Sequence, residues 1–403
     1  MRLAFISYEY PTDIGWGGIA TYVLELSKMM NDAGFDVEIF TGSFTRSGLF
    51  EENGIMINII QINDVDDFAV KVVEVFGERH RIKPFDLYET PEINANAYNI
   101  CKQFQQIPFV TKLHTPVTLQ LKLFNYYQPW ASRLRFVFGA LRRGRIDWGY
   151  WRRHDPHPEN DRDYVMTVLA KAITAPSEAM KKWATNYWKI QSNRITVLEN
   201  PYSPSKVLLS QHYKSDERKY ITFIGKLNIH KGMLVLTKAL PSILLAFPFL
   251  KMRFIAKDGP SHIKGLSMKE YMQTELRQLE DRVEFTGAVT LTEIPGYLNE
   301  AKICIFPSIW EAFGYVVLEA MSAGVPVAVS KNSGMQEIVN NGECGLLFNA
   351  LSPKDVTKQI TDLLHNHKQL ENLSIAGRKR VLKNYTPQVL AGKYSKFYQS
   401  ILL

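Results

Sequence analysis

This sequence predicts an α/β fold of two domains, each built on a doubly wound parallel sheet, and three observations predict it. Short apolar runs of strand length alternate with helical stretches through most of the chain, as βαβ units do. The chain has 403 residues, and at roughly 100–200 residues per domain that length suits two. A proline-broken, charged stretch between residues 201 and 219 splits the alternation into two series.

The first series opens with Leu3 to Ser7 as a strand. This start is too short and, at Glu9, too polar for a secretory leader. Pro11 to Gly18 is rich in turn residues. Ile19 to Asn31 then has helical spacing, with Val23, Leu24, Leu26 and Met30 on an apolar face and Gly34 as a cap beyond it. Val37 to Thr41 completes the unit as a second strand. Leu87 to Tyr88, a helix near Asn94 to Gln105, Phe109 to Leu113, Ala172 to Ala175 and Ile195 to Leu198 continue the series, with Ser177 as a helix N-cap. The second series has strands at Tyr220 to Ile224, Met252 to Ala256, Val283 to Phe285, Ile303 to Phe306 and Val325 to Val329, with a helical stretch after each. We expect one domain at 1–203, a second at 204–385, and a last helix at 386–403. Ligands of such sheets bind outside the carboxyl ends of the strands, so two of these domains facing each other would place a site between them.

Composition excludes several classes. Hydrophobic residues at 46% and charged residues at 22% are globular values, not those of a disordered, collagen-like or coiled-coil chain. The net charge of +8 favours anionic partners without choosing among phosphates, lipid and nucleic acid. Cys101, Cys304 and Cys344 are far apart and form no C-x-x-C pair, which points to a reducing compartment. No apolar run reaches the ~18–20 residues of a membrane helix. We therefore expect a cytoplasmic protein, with contact at the inner face of a membrane as a further expectation.

Five places offer chemistry. Gly15-Trp16-Gly17-Gly18 precedes the first helix, where glycines let a ligand approach the backbone and a helix N-terminus attracts anions. The same glycines also suit a plain βα turn. Gly225-Lys226-Leu227-Asn228-Ile229-His230-Lys231-Gly232 follows a strand and carries two lysines able to neutralise a diphosphate, although loop lysines are commonly just solvated. It is not a Walker A loop. The sequence Pro307-Ser308-Ile309-Trp310-Glu311-Ala312-Phe313-Gly314-Tyr315 leads into a helix bearing Glu319. A carboxylate in that apolar helix needs a partner; paired sugar or ribose hydroxyls would serve, and so would a backbone amide or a lysine. His114 follows a strand and so faces the ligand side.

The fifth place is Trp130 to Arg153. It interleaves Arg133, Arg135, Arg142, Arg143, Arg145, Arg152 and Arg153 with aromatics that include Trp148, against one acid, Asp147. That pattern suits an anionic membrane interface or an acceptor, single-stranded nucleic acid, or a packed helical excursion with solvated arginines. The histidines and cysteines have no zinc-type spacing. Asp64-Val65-Asp66 and Asp161-Arg162-Asp163 match an Asp-x-Asp metal site by spacing alone, and we expect both to be solvated.

Taken together, these motifs resemble the retaining GT-B glycosyltransferases of family four, also called glycosyl transferase group 1. The resemblance spans nearly the whole chain. Its most specific part is Glu311-x7-Glu319 within P-S-x-x-E-x-F-G-x-x-x-L-E-A-M-x-x-G-x-P-V. The Gly17-Gly18 loop, the G-K-L-x-x-x-K-G loop and His114 occur in the family's order. The resemblance implies that Lys226 and Lys231 hold the donor diphosphate and that Glu319 holds the ribose. Glu311 and the backbone of Ala312, Phe313 and Gly314 would meet the donor sugar, with Tyr315 in the same donor-binding set. It places His114 by the sugar and Gly17 and Gly18 by the phosphates, and it makes the last helix cross back to the first domain. Lys226 replaces a common arginine, Lys257 a common glycine, and Ser333 the first of a glycine pair. Glu199-Asn200-Pro201-Tyr202 replaces the usual I-P-N-G type hinge.

The activity so implied is metal-independent transfer of a hexose from a nucleoside diphosphate sugar, without a resident cofactor and with retention by front-face displacement. UDP-glucose is the favoured donor. The acceptor would be a saccharide or lipid-linked sugar in polysaccharide synthesis, and a cyanobacterial envelope polysaccharide enzyme is the nearest specific likeness. No nucleic-acid partner is expected. A nucleotide-sugar epimerase on the same fold and a non-catalytic assembly subunit remain as alternatives.

Overall fold

The computed structural model describes residues 1–11, 17–142, 144 and 157–403. The chain divides into two compact units. The first comprises Met1–Leu119, His154–Ser203 and Asn384–Leu403; the second comprises Gln120–Arg153 and Pro204–Lys383.

The first unit is built on an eight-stranded sheet. Its strands are β1 (Arg2–Ile6), β2 (Asp36–Ser43), β3 (Gly48–Glu52), β4 (Ile55–Gln61), β5 (Leu87–Pro91), β6 (Phe109–Lys112), β7 (Ala172–Ala175) and β8 (Ile195–Val197). Their order is β3-β4-β2-β1-β5-β6-β7-β8. All pairs are parallel except β3 with β4. Every residue of β1 and β5 is buried, as befits central strands covered on both faces. The strand order reverses between β1 and β5, so ligands are expected near the loops that leave these strands and their neighbours.

The strands expected in this unit are present to within a few residues. The sequence reading omitted the β3–β4 hairpin. Its two-residue turn is Asn53-Gly54, with φ of +53° and +79°, the left-handed pair that a type I′ turn requires and that Asn-Gly supplies at least cost. The helix expected near Asn94 to Gln105 is broken. Asn94 and Ala95 have φ of +59° and +45°, so a 3₁₀ turn at Ile93–Ala95 precedes a short helix, Tyr98–Gln103. The last helix, Pro387–Leu402, packs beside Gly18–Asp32 and buries Tyr394 and Tyr398 completely.

The second unit has six parallel strands: β9 (Tyr220–Lys226), β10 (Lys251–Lys257), β11 (Val283–Gly287), β12 (Ala301–Phe306), β13 (Val327–Ser330) and β14 (Leu346–Phe348). Their order is β11-β10-β9-β12-β13-β14, which places the reversal between β9 and β12. Ile221, Phe223, Phe254, Ile303 and Ile305 build the core with Leu236, Leu240 and Ile243 of the helix Met233–Ala246. Phe124 and Tyr127 also pack on this core, and Ser132 Oγ donates to the His262 carbonyl at 3.1 Å. The excursion from Gln120 thus groups with the second sheet although it lies between strands of the first.

Candidate active site

The loops leaving β9 and β12 come together where the second sheet reverses. Backbone forces them to meet. Gly232 has φ of +78°, and a Cβ there would lie 1.9 Å from the Pro307 carbonyl oxygen, so only glycine fits. The Ile309 amide donates to the His230 carbonyl at 2.7 Å. Asn228 Oδ1 accepts from the Lys231 amide at 2.9 Å, which shapes the β9 loop. Lys231 Nζ and Glu311 Oε2 then form a hydrogen-bonded ion pair across the two loops, each side chain about a fifth exposed. Lys226, at the end of β9, is exposed. His230 adds no charge to this group. Burial, then Lys231 and Lys226, push its pKa down to about 3, so it is a neutral imidazole across the working range.

The β12 loop runs into the helix Tyr315–Ser322 through Gly314, whose φ of +119° is open to glycine alone. A third close approach fixes its shape. The Gly334 amide donates to the Glu311 carbonyl at 2.8 Å, and a Cβ at Gly334 would lie 2.1 Å from the Ala312 oxygen. Ala312, Phe313 and Tyr315 are buried. Glu319 is on the helix, with part of its side chain reaching solvent. Protein packed around its carboxyl pushes the pKa up to about 7, because a desolvated carboxylate is costly. No hydrogen bond from a described side chain reaches it. It is a carboxyl near half-protonation, able to accept two hydroxyl hydrogen bonds on ionising.

In the first unit, His114 follows β6 and is nearly buried. Glu92, just beyond β5, holds its backbone. Glu92 Oε1 accepts from the His114 amide at 2.8 Å, and Oε2 lies 3.4 Å from His114 Nδ1. The Lys112 carbonyl is 3.1 Å from the same Nδ1. A carbonyl can only accept, so Nδ1 carries a proton. Nε2 is buried and without a hydrogen-bond partner among the described residues. The Tyr22 ring packs edge-on to His114 with centroids 5.2 Å apart.

Behind His114 lies a buried polar network. Glu89 accepts from the Tyr22 hydroxyl at 2.5 Å and from the Tyr398 hydroxyl at 2.7 Å. Lys112 Nζ donates to the Leu198 carbonyl at 2.7 Å and to the Tyr394 hydroxyl at 3.1 Å. Burial drives both charged groups toward neutrality, lowering Lys112 and raising Glu89.

Lys226, Lys231, Glu311, Ala312, Phe313, Gly314, Tyr315 and Glu319 thus all belong to the second unit, on or beside the two loops. His114 and Gly17-Gly18 belong to the first. Gly17 caps the helix Gly18–Asp32 and both glycines are exposed, whereas Gly15 and Trp16 lie outside the described residues. Trp130, Arg133, Arg135 and Arg142 lie on or just after the helix Trp130–Leu141; Arg143, Arg145 and Trp148 lie outside the described residues.

One expectation is corrected. Asp163 is not solvated but 3% exposed. It accepts from the Val117 amide at 3.1 Å, and burial, aided by Asp161 and Glu92, raises its pKa to about 8. Asp161 and Asp64 instead cap helices. Among the described residues no group of three or more His, Cys, Asp or Glu is placed to hold a metal ion, and no helix is long and apolar enough to cross a membrane.

The sequence reading missed Glu92, Glu89, Lys112 and the three tyrosines. Glu92 was findable, since it ends β5 as His114 ends β6, and the same rule about strand ends applies to both.

Comparison with known proteins covers both halves. The family described as Glycosyltransferase Family 4 matches residues 16–206, and Glycosyl transferases group 1 matches residues 207–380. An uncharacterised glycosyltransferase of Methanocaldococcus jannaschii is 22% identical, covering 99% of this chain and 98% of that one. A sucrose-phosphate synthase from Thermosynechococcus elongatus superposes with a TM-score of 0.75 at 20% identity, covering 100% and 99%. Anabaena HepE, solved in complex with UDP and glucose, gives a TM-score of 0.66 at 16% identity, covering 99% and 100%. These structural likenesses speak to the fold, which is the two-domain GT-B type.

Proposed function

The chain is a glycosyltransferase of the family-four type, and from that premise we propose that it moves glucose from UDP-glucose, with retention, to a saccharide or lipid-linked acceptor in polysaccharide synthesis. The observation that carries this reading is the Lys231–Glu311 pair between the two loops at the reversal of the second sheet. A diphosphate arriving there competes with Glu311 for the Lys231 ammonium. Its charge is met by Lys226 and Lys231 together, and Glu311 is released to accept from hydroxyls of the donor sugar. Two ammonium groups beside the departing diphosphate stabilise the charge that develops as the bond to C1 breaks. The reading therefore assigns no step to a metal.

Glu319 takes the ribose hydroxyls, which favour its ionised form. His114 meets a sugar hydroxyl at Nε2, which is unpartnered among the described residues. The reading assigns no covalent nucleophile, so the acceptor oxygen bonds to C1 on the face that the diphosphate leaves, and the acceptor's proton passes to the departing phosphate oxygen. The choice of UDP and glucose is supported by the ligands of the Anabaena protein.

A thermal-shift panel with UDP, GDP, ADP and CMP and their sugars tests the donor. Ligand at 100 times its dissociation constant adds about 2.7 kcal/mol. A rise in melting temperature with UDP and UDP-glucose alone is the expected result. A rise with a different base replaces the donor, and a rise with none overturns the reading. Incubation with UDP-glucose and no acceptor should leave the sugar nucleotide unisomerised, which separates transfer from epimerisation.

A further inference from the structure

The helix Trp130–Leu141 carries an apolar face that stays exposed among the described residues. Trp130, Leu134, Phe138 and Leu141 recur at spacings of four, four and three residues and so lie along one side. They are 75%, 44%, 64% and 51% exposed. The opposite side is the packed one: Ala140 is buried and Ser132 bonds to His262. Exposed apolar side chains scattered singly need no explanation, but a contiguous row of four does.

Charge selects the occupant. From residue 93 to residue 146 the sequence has no Asp or Glu. Arg135 and Arg142 are exposed beside the apolar row. Arg133 is bent back, donating from Nε to the Gln128 carbonyl and covering the Tyr126 ring. A second copy would bring like charges face to face. Nucleic acid would engage the arginines but leave the two leucines unburied. An anionic bilayer satisfies both, because the aromatic and aliphatic groups enter the headgroup boundary while the guanidinium groups stay among lipid phosphates.

We propose that the exposed face of the helix Trp130–Leu141 docks on an anionic membrane surface, with Trp130, Leu134, Phe138 and Leu141 inserted and Arg135 and Arg142 on the headgroups. The proposal is independent of the donor reading, and binding rather than activity tests it.

The whole chain is floated with vesicles of phosphatidylcholine alone or mixed with phosphatidylglycerol, at low and high salt. It should float with the mixed vesicles at low salt. Trp130→Ser with Phe138→Ser should weaken binding by roughly tenfold or more, the effect of removing apolar burial. Arg135→Gln with Arg142→Gln should weaken it about thirtyfold, on the order of two cations at an anionic surface. All four side chains are exposed, so the melting temperature should stay unchanged. The proposal is overturned if the wild type does not float, or if the Trp130/Phe138 variant floats as well as the wild type. It is also overturned if a lipid-free dimer dissolves in that variant, or if the chain prefers a single-stranded oligonucleotide and only the arginine variant loses it.

Discussion

The two units place polar chemistry at the reversals of their sheets in opposite ways. In the second unit, Lys226 ends β9 and Lys231 and Glu311 are on loops, all reaching solvent, and backbone glycines shape the loops. In the first, Glu89, Lys112 and His114 stand in or just after strands, buried, and are held by tyrosine hydroxyls and by Glu92. A loop pair can exchange its ion pair for a ligand at little cost to folding. A buried network cannot, because each of its members leaves another without a partner. The chemistry that must change during turnover is expected in the first kind of place, and the rigid frame in the second.

The buried network gives the largest test of that contrast. Lys112→Met leaves the buried Leu198 carbonyl and Tyr394 hydroxyl without their donor and removes the positive charge that acts on Glu89, at about 1–3 kcal/mol for each group left unsatisfied. We expect a loss in that range by denaturant unfolding. Glu89→Gln with Lys112→Met should recover part of it, since neither charge is then buried alone. A loss no larger than that of an exposed substitution would remove the distinction between the units. In the two site loops of the second unit such sensitivity is expected in the backbone. Gly232→Ala drives a methyl against Pro307 and should cost about 3 kcal/mol or more. By contrast, Lys231→Ala should leave the melting temperature nearly unchanged. It should weaken UDP binding by roughly 10–100-fold by calorimetry, the effect of removing a charge-assisted bond. Glu311→Gln should bind UDP about as well or better, since Lys231 is then free, and lose turnover instead.

The sequence disclosed these two regions unequally, for physical reasons. The second was readable because its parts are contiguous. Glu311 and Glu319 sit on one loop and helix, and the two lysines are five residues apart after a strand. The strand-end rule also found His114, and would have found Glu92 had it been applied to β5. The rest of the first unit's network joins Tyr22 near the start to Tyr394 and Tyr398 near the end. A tyrosine on a helix reads as core whether or not its hydroxyl holds a buried carboxylate. Most strands were legible as apolar runs. The β3–β4 hairpin carried its own signal in Asn53-Gly54, but the exposed residues of β3 conceal it as a strand. Asp163 read as solvated because spacing cannot tell a helix cap at position 161 from a buried carboxyl two residues later.

The smallest expected effect, taken per unit of pH, is also the one that distinguishes the donor side most finely. Burial raises the Glu319 pKa to about 7 from its ordinary value of 4.5. A carboxyl raised on folding stabilises fully below the unfolded value, and that contribution is lost as pH rises through about 7. The ligand-free protein should therefore lose up to about 1.4 kcal/mol of stability per pH unit between about pH 4.5 and 7. Ribose hydroxyls favour the carboxylate, so uridine binding releases the proton. Affinity should rise with pH by up to about tenfold per unit below 7 and level off above it. A phosphate of the ligand also titrates near about 6, so the slope for UDP mixes two protons, whereas uridine carries no phosphate. Glu319→Gln keeps the shape and cannot titrate. Its uridine affinity should be flat with pH, and its UDP profile should retain only the phosphate's share. Equal profiles for variant and wild type would take Glu319 out of the ribose contact and leave the lysines alone to account for the nucleotide.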